Sequence, residues 1–226
     1  MGELGCKNGK YTAQPDQTGS LDRVISSFGI TVSGNFSRNE KWAILKAARL
    51  VGDKFAKERQ NGETAADAFV AVYNGINFKK EENVGICGDP LIPVNNGGCT
   101  DNAHDIRFWS MAGHGDPFIM MGNVIHELGH AYSNHLSNGP EINMPYWMYD
   151  EVNPGRALFL QPNSRAPVPN PCDDCYYYQY NRASTASETF ADMFVAWNLD
   201  VWNTSTENAN VDAVRDAKEW MDIWMP

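Results

Sequence analysis

Apolar residues recur at helical intervals in several stretches of the chain. Trp42, Leu45, Ala48, Val51 and Phe55 lie three or four positions apart and so share one helix face. Ser37-Arg38-Asn39-Glu40 just before them has capping-box spacing, which predicts a helix over about 38–60. Thr64 caps a shorter predicted helix through about Tyr73, and Ile76-Asn77-Phe78 after Gly75 reads as a strand entry. Ile106-Arg107-Phe108-Trp109-Ser110-Met111 is an aromatic-rich, alternating stretch, a predicted strand that ends at Gly113-His114-Gly115. A further helix is predicted from near Pro117 to about Leu136. Thr185-Ala186-Ser187-Glu188 repeats the capping-box spacing ahead of a helix over 186–198. The last predicted helix begins after Thr206, with Val211, Val214, Ala217, Met221 and Trp224 on one face and Trp220 and Trp224 assigned to the core.

The intervening stretches are weaker. Residues 1–36 are rich in Gly, Ser, Thr and Asn, with apolar patches only at Val24-Ile25 and Ile30-Thr31-Val32, and read as loop with one strand. Residues 80–103 read as a long, punctuated loop. Prolines cluster over 138–170, which predicts an ordered loop with at most short helical turns. There is no internal repeat or heptad array. The order of elements predicts an α+β protein: one domain over 1–226, with a small N-terminal sheet plus helices in a lobe near 1–136, a mainly helical lobe near 137–226, and a cleft between them.

Composition narrows the class. With 226 residues, 42% hydrophobic and 20% charged, and 7 Trp, 10 Phe and 9 Tyr, the chain has ample apolar material for a core. Its 18 Lys+Arg against 28 Asp+Glu give a net charge of -10, a field that repels phosphate backbones, so nucleic acid is not an expected partner. No stretch approaches the roughly 18 uninterrupted apolar residues of a membrane span. Oligomeric state is not legible.

The five cysteines, Cys6, Cys87, Cys99, Cys172 and Cys175, fit no four-ligand zinc spacing. Cys87 and Cys99 bracket a turn-rich loop, the expected setting of a local disulfide. Cys172-Asp173-Asp174-Cys175 carries two acids that would raise a thiol pKa, so a second local disulfide is expected there rather than redox catalysis. Cys6 is left over. With the glycosylation-type triplets Asn35-Phe36-Ser37 and Asn203-Thr204-Ser205, this usage predicts an exported protein whose signal peptide has been removed.

The sharpest chemical feature is His126-Glu127-Leu128-Gly129-His130 inside an apolar helical stretch. Histidines four apart share a helix face and can aim two imidazoles at one metal ion, while Glu127 projects about 100° round, where an activated water would sit. With five histidines in the chain, about 0.006 such motifs are expected by accident. Two downstream patterns could supply a third ligand. A third histidine one turn onward would need His at 136, but Leu136 is there and His135 is one position out of register. The other pattern takes Glu188 from a later helix, with Asp192 four residues on accepting the outer N–H of a ligand histidine.

These segments, His126 to Ala131 together with Tyr180-Asn181-Arg182 leading to Glu188-Thr189-Phe190-Ala191-Asp192-Met193-Phe194, resemble the gluzincin zinc metallopeptidases. The resemblance is closest to the lethal-factor-like catalytic domains, which include the bacterial Pro-Pro endopeptidases, and it covers under a fifth of the chain. It implies a zincin-like fold and one catalytic Zn2+ held by His126, His130 and Glu188, with Asp192 behind a ligand histidine. It also implies Tyr180 as hydrogen-bond donor to the oxyanion. This sequence departs from the group in having Asp192 where Glu is frequent, and in the spacing of Tyr180 from Glu188.

The resulting expectation is a secreted zinc endopeptidase acting on protein or peptide substrates, with Glu127 as general base. Residues 106–112 are expected to pair with an extended substrate, as the strand before the metal helix does in such folds. The alternative is a non-catalytic, zinc-stabilised extracellular binding or adhesion domain; an exopeptidase would need a group to hold a free terminus, and none is evident. His114 between its glycines reads as a solvated loop residue. His104 beside Asp101, Asn102 and Asp105 offers oxygen donors to a hard cation such as Ca2+, without an EF-hand spacing to support it.

Overall fold

The computed structural model describes residues 5–7, 10–12, 18–81, 98–109, 117–136, 139–145, 148, 186–200, 202 and 211–225. Along the chain these form β1 (Gly5–Lys7), β2 (Lys10–Thr12), α1 (Thr18–Ser26), β3 (Ile30–Ser33), α2 (Arg38–Arg59), α3 (Ala65–Tyr73), β4 (Ile76–Glu81), β5 (Gly98–Thr100), β6 (Asp105–Trp109) and α4 (Pro117–His135). A 3-10 turn (Pro140–Asn143), α5 (Ala186–Leu199) and α6 (Val211–Trp224) follow. The described residues are thus mixed α and β, mostly helical, with a small four-stranded sheet and a two-stranded antiparallel pair of β1 and β2.

Local chemistry sets the helix ends where the sequence marks them. Ser37 Oγ accepts from the Glu40 N–H at 3.3 Å and the Glu40 carboxylate accepts from the Ser37 N–H at 2.6 Å, closing the capping box of α2. Thr64 caps α3 by accepting from the Asp67 N–H at 3.2 Å. The chain leaves α2 and α3 through Gln60 and Asn74 in left-handed conformation, at φ 52° and 49°.

The sheet runs β3-β4-β6-β5. β3, β4 and β6 are parallel, with Val32 opposite Phe78 and Phe78 opposite Ile106. β5 is antiparallel to β6, with Gly98 opposite Phe108 and Thr100 opposite Ile106, and among the described residues it forms one edge. Ile76 and Phe78 of β4 are buried while the alternating Asn77 and Lys79 are exposed, so one face of the sheet meets the core and the other meets solvent. β6 pairs with β4 along Asp105–Trp109 and with β5 at Ile106–Phe108, so Ile106–Phe108 offer no free edge to a substrate strand, and residues 110–112 of the expected pairing segment lie outside the described residues.

The core joins α2, α4 and α5 through aromatic rings. Phe55 of α2 stacks on Tyr132 of α4 at 5.5 Å and meets Trp197 of α5 at 5.7 Å, and Phe194 of α5 lies 5.9 Å from Tyr132. Each such buried aromatic contributes about 2–3 kcal/mol. Tyr73 at the end of α3 donates its hydroxyl to the Leu128 carbonyl at 3.0 Å, pinning α3 to the middle of α4.

Three expectations need correction. Residues 18–26 are helical, not loop: Leu21 and Ile25 are buried and Val24 packs beside them, a face too short to stand out among Gly and Ser. Residues 98–100 form a strand within what read as loop, since a three-residue strand is specified by its partner rather than by its own pattern. On α6 the face of Val214, Ala217 and Met221 is buried, but Trp224 is 42% exposed and Trp220 only partly covered. Met225, one residue past the helix end, takes the inward position instead. Cys172, Cys175 and Cys87, the expected partner of buried Cys99, lie outside the described residues.

Candidate metal centre

α4 begins with Pro117, whose missing N–H costs nothing at a helix start. Met120, Met121, Val124, Ile125, Leu128 and Ala131 bury it deeply, leaving His126 and His130 on a part-buried strip one turn apart. α5 crosses closely at this level. A Cβ on Gly129 would stand 3.0 Å from Phe194 Cβ and 3.1 Å from Ala191 Cα, so the glycine inside the histidine motif is what lets α5 approach. That approach carries Ser187, Glu188 and Asp192 up to the two imidazoles.

The donor atoms converge. His126 Nε2 lies 3.2 Å from His130 Nε2 and 3.2 Å from Glu188 Oε2, and His130 Nε2 lies 3.6 Å from Glu188 Oε1. Ligand atoms at tetrahedral angles, on bonds of about 2.0–2.1 Å to zinc, must be about 3.3 Å apart. The observed separations therefore fit one small cation, and this trio is the group among the described residues whose ligand atoms all lie within 4.8 Å of one another.

The outer nitrogens are held as a metal site requires. His126 Nδ1 lies 3.1 Å from Asp192 Oδ1, and a carboxylate only accepts, so Nδ1 carries a proton and Nε2 is the nitrogen left to face a metal. His130 Nδ1 lies 2.9 Å from Ser187 Oγ, a second such orienting contact.

Burial alone would lower the pKa of His126, but its hydrogen bonds to Asp192 and Glu188, and the charges of Asp192 and Glu127, outweigh it and lift it well above the usual range. His130 is pushed down to about 4, by burial first and then by the charge of His126. Glu127, only 7% exposed, is raised to about 7 by burial, against the opposing pull of His126 and of a hydrogen bond from Thr100.

Glu127 points to β5. The Thr100 hydroxyl lies 2.7 Å from Glu127 Oε2 and 3.0 Å from the Glu127 main-chain oxygen. Of the residues singled out from sequence, His126, Glu127, His130, Glu188 and Asp192 come together here, and Tyr180 and His114 lie outside the described residues. His135 is not in the cluster; its ring stands edge-on to His104 at 5.6 Å.

The supposed calcium donors are already engaged: Asp105 accepts from Asn77 and Asn102 at 2.9 and 2.7 Å, and Asp101 forms an ion pair with Arg107. Sequence reasoning missed Ser187, whose place beside Glu188 in the second capping-box segment was its only signal, and Thr100, which had none. The chain matches no protein-family model, no curated protein and no solved structure.

Proposed function

We propose that this chain is a zinc-dependent endopeptidase of the gluzincin type, exported and acting on extended polypeptide. The observation that carries the reading is the convergence of His126, His130 and Glu188 to separations of 3.2–3.6 Å, with Glu127 next in sequence to one ligand. A zinc ion held by these three would supply Lewis-acid chemistry that lowers the pKa of water and polarises a peptide carbonyl.

The chain's own residues then have defined tasks. Glu127 takes a proton from the attacking water and passes it to the leaving amine, work suited to a carboxyl whose burial lifts it to about 7. Asp192 holds the His126 imidazole with its Nε2 toward the metal position, and Ser187 contacts the outer nitrogen of His130. Tyr180 is the proposed donor to the tetrahedral oxyanion. β5, the edge strand among the described residues and next to Glu127, takes the place of paired Ile106–Phe108 as the strand where a substrate backbone would add by main-chain hydrogen bonds.

The test is metal-dependent proteolysis. Zinc-loaded protein should cut a mixture of unstructured peptides at internal bonds, lose that activity to a chelator and regain it with one equivalent of zinc. A protein that binds zinc and cuts nothing would leave the zinc-stabilised binding domain as the better account.

A further inference from the structure

The role of Glu127 depends on where its carboxylate stands, and two residues of β5 bear on that directly. Gly98 and Thr100 are two apart on a strand and so face the same way, toward α4. Thr100 reaches Oε2 of Glu127 with its hydroxyl at 2.7 Å. Gly98 lies beneath the other oxygen: a Cβ there would stand 2.8 Å from Oε1, 2.9 Å from Cγ and 2.7 Å from Phe108 Cε1. Both are main-chain partners of β6, at Phe108 and Ile106, so the sheet holds their backbone against α4.

We propose that β5 is the template for the Glu127 side chain, with Thr100 a positioning residue that holds one carboxylate oxygen and Gly98 kept side-chain-free to admit the other. The inference rests on the endopeptidase reading above and names the residues that regulate the geometry of its general base. A glutamate on a helix has three rotatable side-chain bonds, and a base misplaced by about 1 Å can cost on the order of 100-fold in rate. The hydroxyl has one proton and two oxygens of Glu127 in reach, so it can donate to the carboxylate, or donate to the main chain while accepting from a carboxylic acid. Thr100 therefore remains a partner of Glu127 before and after proton transfer, without moving. A mere tether between strand and helix would need only the main-chain contact.

Three variants separate positioning from tethering: Thr100→Val, which keeps the shape and loses the hydroxyl; Thr100→Ser, which keeps the hydroxyl; and Gly98→Ala, which crowds Oε1. Thr100→Val and Gly98→Ala should lower kcat by on the order of 10- to 100-fold, with KM and zinc affinity close to wild type. Thr100→Val should also keep the wild-type melting temperature, whereas Gly98→Ala, which crowds buried Phe108 as well, should melt lower. Thr100→Ser should restore most of kcat. Crystal structures of the zinc-loaded wild type and Thr100→Val should show the Glu127 carboxylate held against β5 in the first and rotated away in the second. The proposal is overturned by a Thr100→Val enzyme with wild-type kcat, by an unmoved carboxylate in that variant, or by zinc affinity and KM failing together with kcat. If the wild type cuts no peptide, the endopeptidase reading falls, and the carboxylate positions in the two structures still decide the positioning claim.

Discussion

Asp192 Oδ1 stands 3.1 Å from Nδ1 of His126, across the interface of two helices whose contact residues are 66 positions apart in the chain. The carboxylate fixes which nitrogen of the imidazole carries the proton, and so which one is left for a metal. Asp192→Asn keeps the shape but presents an amide that can donate to Nδ1 and favour the wrong tautomer. Zinc affinity, measured by competition with a chromophoric chelator, should fall about 10- to 100-fold. Unchanged affinity would remove Asp192 from the site.

Glu188 supplies the anionic ligand from α5. Glu188→Gln keeps the packing and removes the charge, so it should weaken zinc binding more than Asp192→Asn does, while the far-ultraviolet circular dichroism of the metal-free protein stays the same. Metal content after dialysis against buffered zinc checks this directly. A Glu188→Gln protein that retains one zinc per chain would show that the third ligand comes from elsewhere.

Gly129 is where the two metal-bearing helices touch most closely. Gly129→Ala would place a methyl 3.0 Å from Phe194 Cβ, within a tightly packed interface. Overpacking of this kind costs about 1–3 kcal/mol, or about 2–4 °C of melting temperature per kcal/mol for a chain of this length. Because the displaced helix carries Glu188 and Asp192, zinc affinity should drop in the same variant. Full stability with full affinity would contradict the packing account.

Tyr73 gives a pH dependence away from the metal. Burial first, and then neighbouring Tyr132, raise its pKa well above the model-compound value. A group raised in the folded state contributes stability that is complete below its unfolded pKa of about 10 and is lost as pH rises through the folded value. Denaturant unfolding should show stability falling above about pH 10, and Tyr73→Phe should flatten that slope. The same variant should lose about 1 kcal/mol near neutrality, because the hydroxyl bond to the Leu128 carbonyl is gone. An unaltered alkaline slope in Tyr73→Phe would assign it to another group.

What was readable in the sequence was periodic or chemically unusual. His126 and His130 four apart, and Glu188 and Asp192 four apart, announce two helix faces, and the Ser37 and Thr64 caps mark helix starts that the structure shares. α1 was readable in principle, since Leu21, Val24, Ile25 and Phe28 have helical spacing, but a short face among glycines and serines is easily taken for loop. β5 had no signal of its own. Its three residues become a strand because β6 offers hydrogen bonds, and Thr100 meets Glu127 only through a contact spanning 27 positions. The reason for glycine at 98 is likewise invisible until the Glu127 side chain is seen to fill the space above it.

The central claim is that this cluster hydrolyses peptide bonds with Glu127 as the base. The most direct test is mass-spectrometric cleavage of a diverse peptide library by zinc-loaded wild type beside Glu127→Ala, each shown to hold one zinc per chain. The account predicts internal cuts by the wild type and a loss of at least about 100-fold in the variant, with zinc retained. Equal cutting by both proteins would contradict the general-base assignment, and no cutting by either would contradict the peptidase itself.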